Sequence, residues 1–166
     1  MPVRELRMDI AGLGMILYSP PAASHIPRGS DYLKEHFSAP PDVARHVMDC
    51  QLTGFCTGSP GIFYLWFANG PRDEEGIQKA EFKLRLGLQV RERTICVRDL
   101  YDLMQWVPEC PPQQQVTIDD GWYRLTVSSS PPASAIIGGG QVINIHLEPM
   151  LSKPQLRWEG VPLLCD

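Results

Sequence analysis

From Phe82 to Val90 the sequence FKLRLGLQV alternates without a break: Phe82, Leu84, Leu86, Leu88 and Val90 are apolar, and Lys83, Arg85, Gly87 and Gln89 separate them. A strand turns successive side chains to opposite faces, so this segment offers one face to a core and the other to water. Strands buried on one side only belong to antiparallel sheets. The chain lacks the long amphipathic helices that parallel crossovers need, which disfavours a doubly wound sheet. The expected fold is therefore mainly β, an antiparallel sandwich or curled sheet with two or three short helices. A length of 166 residues predicts one globular domain over 1–166.

Sixteen prolines point to short elements joined by stiff turns. Leu6, Met8 and Ile10 alternate with Arg7 and Asp9, and a first strand is predicted over 6–18, loosened at Gly12 and Gly14. SPPAASHIPRG reads as a loop, after which Ser30 can cap a short helix DYLKEHF. Pro40 and Pro41 suit the first turn of a second helix, whose apolar stripe is Val43, Val47 and Cys50 with Ala44 and Met48; TGFCTGSPG ends it. GIFYLWFANG is uniformly apolar and suggests a strand buried on both faces, and RTICV a further short strand.

RDLYDLMQW predicts one short helix, capped by Asp99 and stopped by Pro108, Pro111 and Pro112, with Leu100, Leu103 and Met104 on its buried face. QQVTI and WYRLTVSSS, joined by the turn DDG, predict a hairpin. PPASAIIGGG is a loop, QVINIHLEP a strand, and PQLRWEGVPLLC a tail that can pair along a sheet edge. The expected total is six to eight strands.

A net charge of −4 argues against direct nucleic-acid binding, which needs a basic stripe, and leaves a basic protein partner open. The five cysteines, Cys50, Cys56, Cys96, Cys110 and Cys165, are odd in number and irregularly spaced. With no secretory pattern at the amino terminus and no apolar run long enough to span a bilayer, the expectation is reduced thiols, a cytoplasmic location and no membrane contact.

No nucleophile elbow or phosphate loop occurs; GGGQ at 138–141 lacks the lysine and the following helix. His46 and Cys50 share one helical face with Cys56 nearby, but regular zinc spacing is missing and core packing is the expected role. His146 falls out of phase with Ile143, Ile145 and Leu147 and reads as an outward strand residue. Asp119 and Asp120 precede Gly121 in a turn that favours aspartate for local hydrogen bonding. Trp122 and Tyr123 must point to opposite faces, while Trp106 and Trp158 are expected at the edge of the core. No metal and no cofactor is implied.

The blocks VRDLYDLMQW, PPQQQVTIDDGWYRLTVSSSPP and GGGQVINIHLEPMLSKPQLRWEGVPLL resemble a group of small bacterial proteins encoded beside secreted polymorphic toxins. The likeness covers about residues 94–165. It implies an immunity protein for an effector delivered by type VI secretion or by an Rhs-type carrier, a cytoplasmic stoichiometric inhibitor without catalytic residues.

The function expected is thus binding and neutralising a cognate toxin, such as a nuclease, by covering its active site. Asp73, Glu74, Glu75, Asp119 and Asp120 are the candidates for steering onto a basic cleft, and Trp122 for an aromatic anchor. Two alternatives are a small enzyme built on His46, Cys50 and His146, and a structural adaptor.

Overall fold

The computed structural model describes residues 2–71, 75, 82–129 and 139–156. Among the described residues nine strands form two sheets: β1 (Pro2–Ile10), β2 (Gly14–Tyr18), β3 (Leu52–Cys56), β4 (Gly61–Asn69), β5 (Phe82–Val90), β6 (Thr94–Asp99), β7 (Gln115–Thr117), β8 (Gly121–Ser129) and β9 (Gly139–Met150). The larger sheet runs β1-β4-β9-β8-β5 and the smaller β3-β2-β6-β7. Every described pairing is antiparallel except β4 with β9. Both sheets are open, so the mainly β, sandwich-like architecture holds; the α-helices described in full are two short ones, α1 (Tyr32–His36) and α2 (Pro40–Asp49).

The larger sheet buries Leu6 and Met8, Phe63 and Leu65, Ile143 and Ile145, Leu125 and Val127, and Leu86 and Leu88 on its inner face. The smaller sheet is covered on both faces. Met15, Leu17, Phe55, Ile95, Val97 and Val116 share the face toward the first sheet. Tyr18, Cys96 and Arg98 point the other way, into a third layer that contains Leu103 and Trp106. This double coverage is why residues Met15–Tyr18 are apolar without alternation.

Several sequence expectations are corrected. The segment 6–18 is two strands in different sheets, because Ala11 and Gly12 donate their backbone N–H groups to the Asp99 carboxylate (2.8 Å and 3.2 Å) and the chain turns there. A side chain at Gly12 would meet Asp99 Oδ1 at 2.5 Å and the Tyr101 ring at 2.8 Å, so only glycine fits. The cap of α1 is Asp31, which accepts from Lys34 N, while Ser30 donates back to the Pro27 carbonyl. The stretch expected only to end α2 begins within a strand, β3.

β4 is buried on one face only: Phe63, Leu65 and Phe67 are inside, and Trp66 is 44% exposed. Of the α2 stripe, Val43, Val47 and Cys50 are buried, Ala44 is half-buried and Met48 is exposed. The hairpin through DDG does not form. β7 pairs with β6 in one sheet and β8 with β5 and β9 in the other, so the acidic turn joins the two layers. The nine strands among the described residues exceed the expected six to eight. Gly139 and Gly140 begin β9 instead of continuing the loop; most of that loop and the tail beyond 156, Trp158 and Cys165 included, lie outside the described residues.

Candidate partner-binding surface

The segment after β6 lies across the open face of the smaller sheet. Asp99 ends the strand and accepts from Tyr101 N at 3.0 Å, which starts a 3-10 turn over Leu100–Met104. The predicted helix is therefore real but tighter than an α-helix. In a 3-10 turn residues three apart eclipse one another. Leu100 and Leu103 accordingly face inward, half-buried and buried, and Trp106, beyond the end of the turn, is buried as well. Tyr101, Met104 and Val107 are 42%, 48% and 40% exposed. Met104 thus sits on the outer row, against the expectation from a 3.6-residue period, and Leu13 on the adjoining bend is also exposed.

The outer row has a rigid base. The Arg98 side chain, buried in β6, donates from Nε to Asp102 (3.0 Å), and from one terminal nitrogen to the Val107 carbonyl (2.9 Å) and the Tyr18 hydroxyl (3.3 Å). Trp106 packs against Tyr18 with ring centres 5.6 Å apart. Its backbone exchanges hydrogen bonds with Gly29 and Ser30, tying the segment to the approach to α1. An exposed apolar row on a pinned backbone can dock onto a partner without ordering a loop first. From Asp99 to Gln115 the chain carries Asp99, Asp102 and Glu109 and no lysine or arginine. Arg28 pairs with Glu109 and holds its carboxyl below the usual range.

The acids singled out from the sequence lie elsewhere. Asp119 pairs with Arg93 at 3.3 Å, and Asp120 accepts from Arg93 N at 2.6 Å, so both are fastened to the β5–β6 turn. That turn and the Asp99 end are at opposite ends of β6, about 15–20 Å apart along the strand. Trp122 is half-buried on the outer face of the larger sheet, between Gln89 and Met150, with Tyr123 buried on the inner face. Glu75 is exposed, and Asp73 and Glu74 lie outside the described residues. Sequence reasoning missed Tyr101, Val107 and Leu13 as surface residues; the three-residue repeat from Leu100 to Val107 was the available signal.

The parts of the alternative enzyme are not assembled. His46 donates from Nδ1 to the Asp42 carbonyl and accepts from the Tyr32 hydroxyl, both at 2.6 Å, and burial pushes its pKa down. The Cys50 thiol faces Gly87 and Pro154, and burial raises its pKa to about 11. His146 is half-buried on the outer face of β9, in a different layer. Among the described residues no group of three histidine, cysteine or acidic side chains could hold a metal ion. The described cysteines, Cys50, Cys56, Cys96 and Cys110, are free thiols. No described helix is long and apolar enough to cross a membrane.

No family model and no curated protein sequence matches the chain. Two solved structures share its fold. ComJ from Bacillus subtilis, described as the inhibitor of the DNA degrading activity of NucA, aligns with a TM-score of 0.54 and 12% identity, over 90% of this chain and 98% of its own. A protein described as crocagin biosynthetic gene J aligns with a TM-score of 0.54 and 12% identity, over 86% of this chain and 96% of its own. The chain has the fold of these two proteins.

Proposed function

We propose that this protein is a non-catalytic inhibitor that binds a nuclease toxin encoded beside it and covers that enzyme's active site. The observation that carries the proposal is the fold shared over nearly the whole of both chains with ComJ, the inhibitor of a DNA-degrading enzyme. The exposed row Tyr101, Met104 and Val107 supplies the apolar contact, and Asp99–Gln115, which carries three acids and no lysine or arginine of its own, keeps basic charge off that row, which suits the basic cleft of an enzyme that holds DNA. Asp73, Glu74, Glu75, Asp119 and Asp120 add long-range steering, and Trp122 a second aromatic contact. Action in the cytoplasm against an effector of the type VI or Rhs kind completes the proposal.

The test is degradation of supercoiled plasmid by the purified product of the neighbouring gene. Equimolar inhibitor is expected to stop degradation, and Tyr101→Ala with Met104→Ala to weaken inhibition. Undiminished degradation at molar excess of a folded inhibitor would overturn the proposal.

A further inference from the structure

Beneath the exposed row two thiols lie near each other, brought together by Gln115. Cys96 is 2% exposed on β6, on the face that also carries Arg98. It pairs across β6–β7 with Gln115, whose side chain donates to the Cys110 carbonyl at 2.7 Å. That bond folds the loop back so that the Cys110 thiol lies against Cys96, 3.8 Å from the Gln114 carbonyl. Cys110 is half-buried and so reachable from solvent, while Cys96 is not.

We propose that Cys96 and Cys110 are a peroxide-sensitive dithiol, with Cys110 the attacking sulfur and Cys96 the resolving one. Hydrogen peroxide is the oxidant. The Cys110 thiolate attacks the peroxide O–O bond, takes one oxygen to become a sulfenic acid, and releases hydroxide, which the thiol proton turns into water. The Cys96 sulfur then attacks the Cys110 sulfur, its proton leaves with the hydroxyl as a second water, and the disulfide closes. Two thiols and one peroxide give one disulfide and two waters.

The division of roles follows from the surroundings. The hydrogen bond from Cys96 lowers the Cys110 pKa, and the Arg98 guanidinium lowers it further. Cys96, in the interior beside Cys110, is pushed upward. Of the other described thiols, Cys50 and Cys56 are both raised by burial, which disfavours the thiolate that reacts. The disulfide would close a loop around the Tyr101–Val107 row and fasten it to β6 at both ends.

The experiment is mass spectrometry of the reduced protein after brief treatment with hydrogen peroxide and alkylation of the remaining thiols. The expected product has one internal disulfide, about 2 Da lighter before alkylation than the reduced chain, with Cys96 and Cys110 in one linked peptide. In Cys96→Ala, dimedone should label Cys110; if that variant does not fold, dimedone present during oxidation of the wild type should label the same residue. Oxidation that falls first on Cys50, Cys56 or Cys165, or none at peroxide excess, would overturn the proposal. None of these readouts depends on the binding partner.

Discussion

The guanidinium carbon of Arg98 lies 4.7 Å from the centre of the Trp106 ring, so one buried cation holds the covering segment by stacking as well as by its bonds to Asp102 and Val107. Arg98→Ala would leave the Tyr18 hydroxyl and the Val107 carbonyl short of a donor. Since Asp102 can turn partly to water, the expected loss is about 3 kcal/mol, toward the lower end for a broken buried pair. Chemical denaturation measures it, and an unchanged midpoint would show that the segment is held some other way.

Leu103 and Met104 are neighbours with opposite fates. Leu103 is fully buried, and Leu103→Ala is expected to cost about 2–5 kcal/mol of stability. Met104 is 48% exposed, and Met104→Ala should change stability by no more than about 0.5 kcal/mol. Its effect belongs in partner affinity, where loss of a contact residue is expected to exceed about 1 kcal/mol by titration calorimetry. Equal stability losses for the two would contradict the three-residue repeat.

His46 predicts a pH dependence. Its folded pKa lies below the unfolded value of about 6.5, because burial disfavours the cation. The unfolded chain therefore takes up the proton first on acidification. Stability is complete above about pH 6.5 and falls as pH drops through the folded pKa. The groups facing His46 are the Tyr32 hydroxyl, with His25 beyond it, and Asp42, Arg45 and Asp49 on its own helix. Denaturation midpoints measured between about pH 7.5 and about pH 5.5 should fall less for His46→Gln than for the wild type.

Gly87 is the place where β5 meets the end of α2. A methyl group there would come 2.5 Å from the Cys50 sulfur and 3.2 Å from the Pro154 ring. Cys50 cannot easily yield, since it occupies the left-handed region at φ 58° and its carbonyl accepts from Gln89 N at 2.8 Å. Gly87→Ala should cost about 1–3 kcal/mol by thermal or chemical unfolding, although the residue lies in a strand where alanine is otherwise tolerated.

Asp120 and the 73–75 acids separate structure from steering. Asp120→Ala removes the acceptor of the Arg93 N–H and is expected to cost about 1 kcal/mol, which Asp120→Asn largely restores. Replacing Asp73, Glu74 and Glu75 by the amides should leave the unfolding midpoint in place and slow association with the proposed nuclease partner, most at low salt. A salt-independent association rate in stopped flow would remove the steering.

Local pattern alone determined a good part of this protein. The alternation of Phe82–Val90, the prolines at the start of α2, the cap at Asp99 and the opposite facing of Trp122 and Tyr123 each follow from the geometry of one element. What residues 11–13, the DDG turn and Tyr101–Val107 do was decided only in the assembled fold. A carboxylate 87 residues away turns the chain at Gly12 into a second sheet. The acidic turn is held where it links the layers by Arg93, in the β5–β6 turn. Leu100–Met104 takes a 3-10 turn, and Arg98 and Trp106 pin the segment flat against the sheet, where an α-helix would have buried Met104 instead. Propensity reports what a residue does within its own turn; which surface remains outside depends on what the rest of the chain covers.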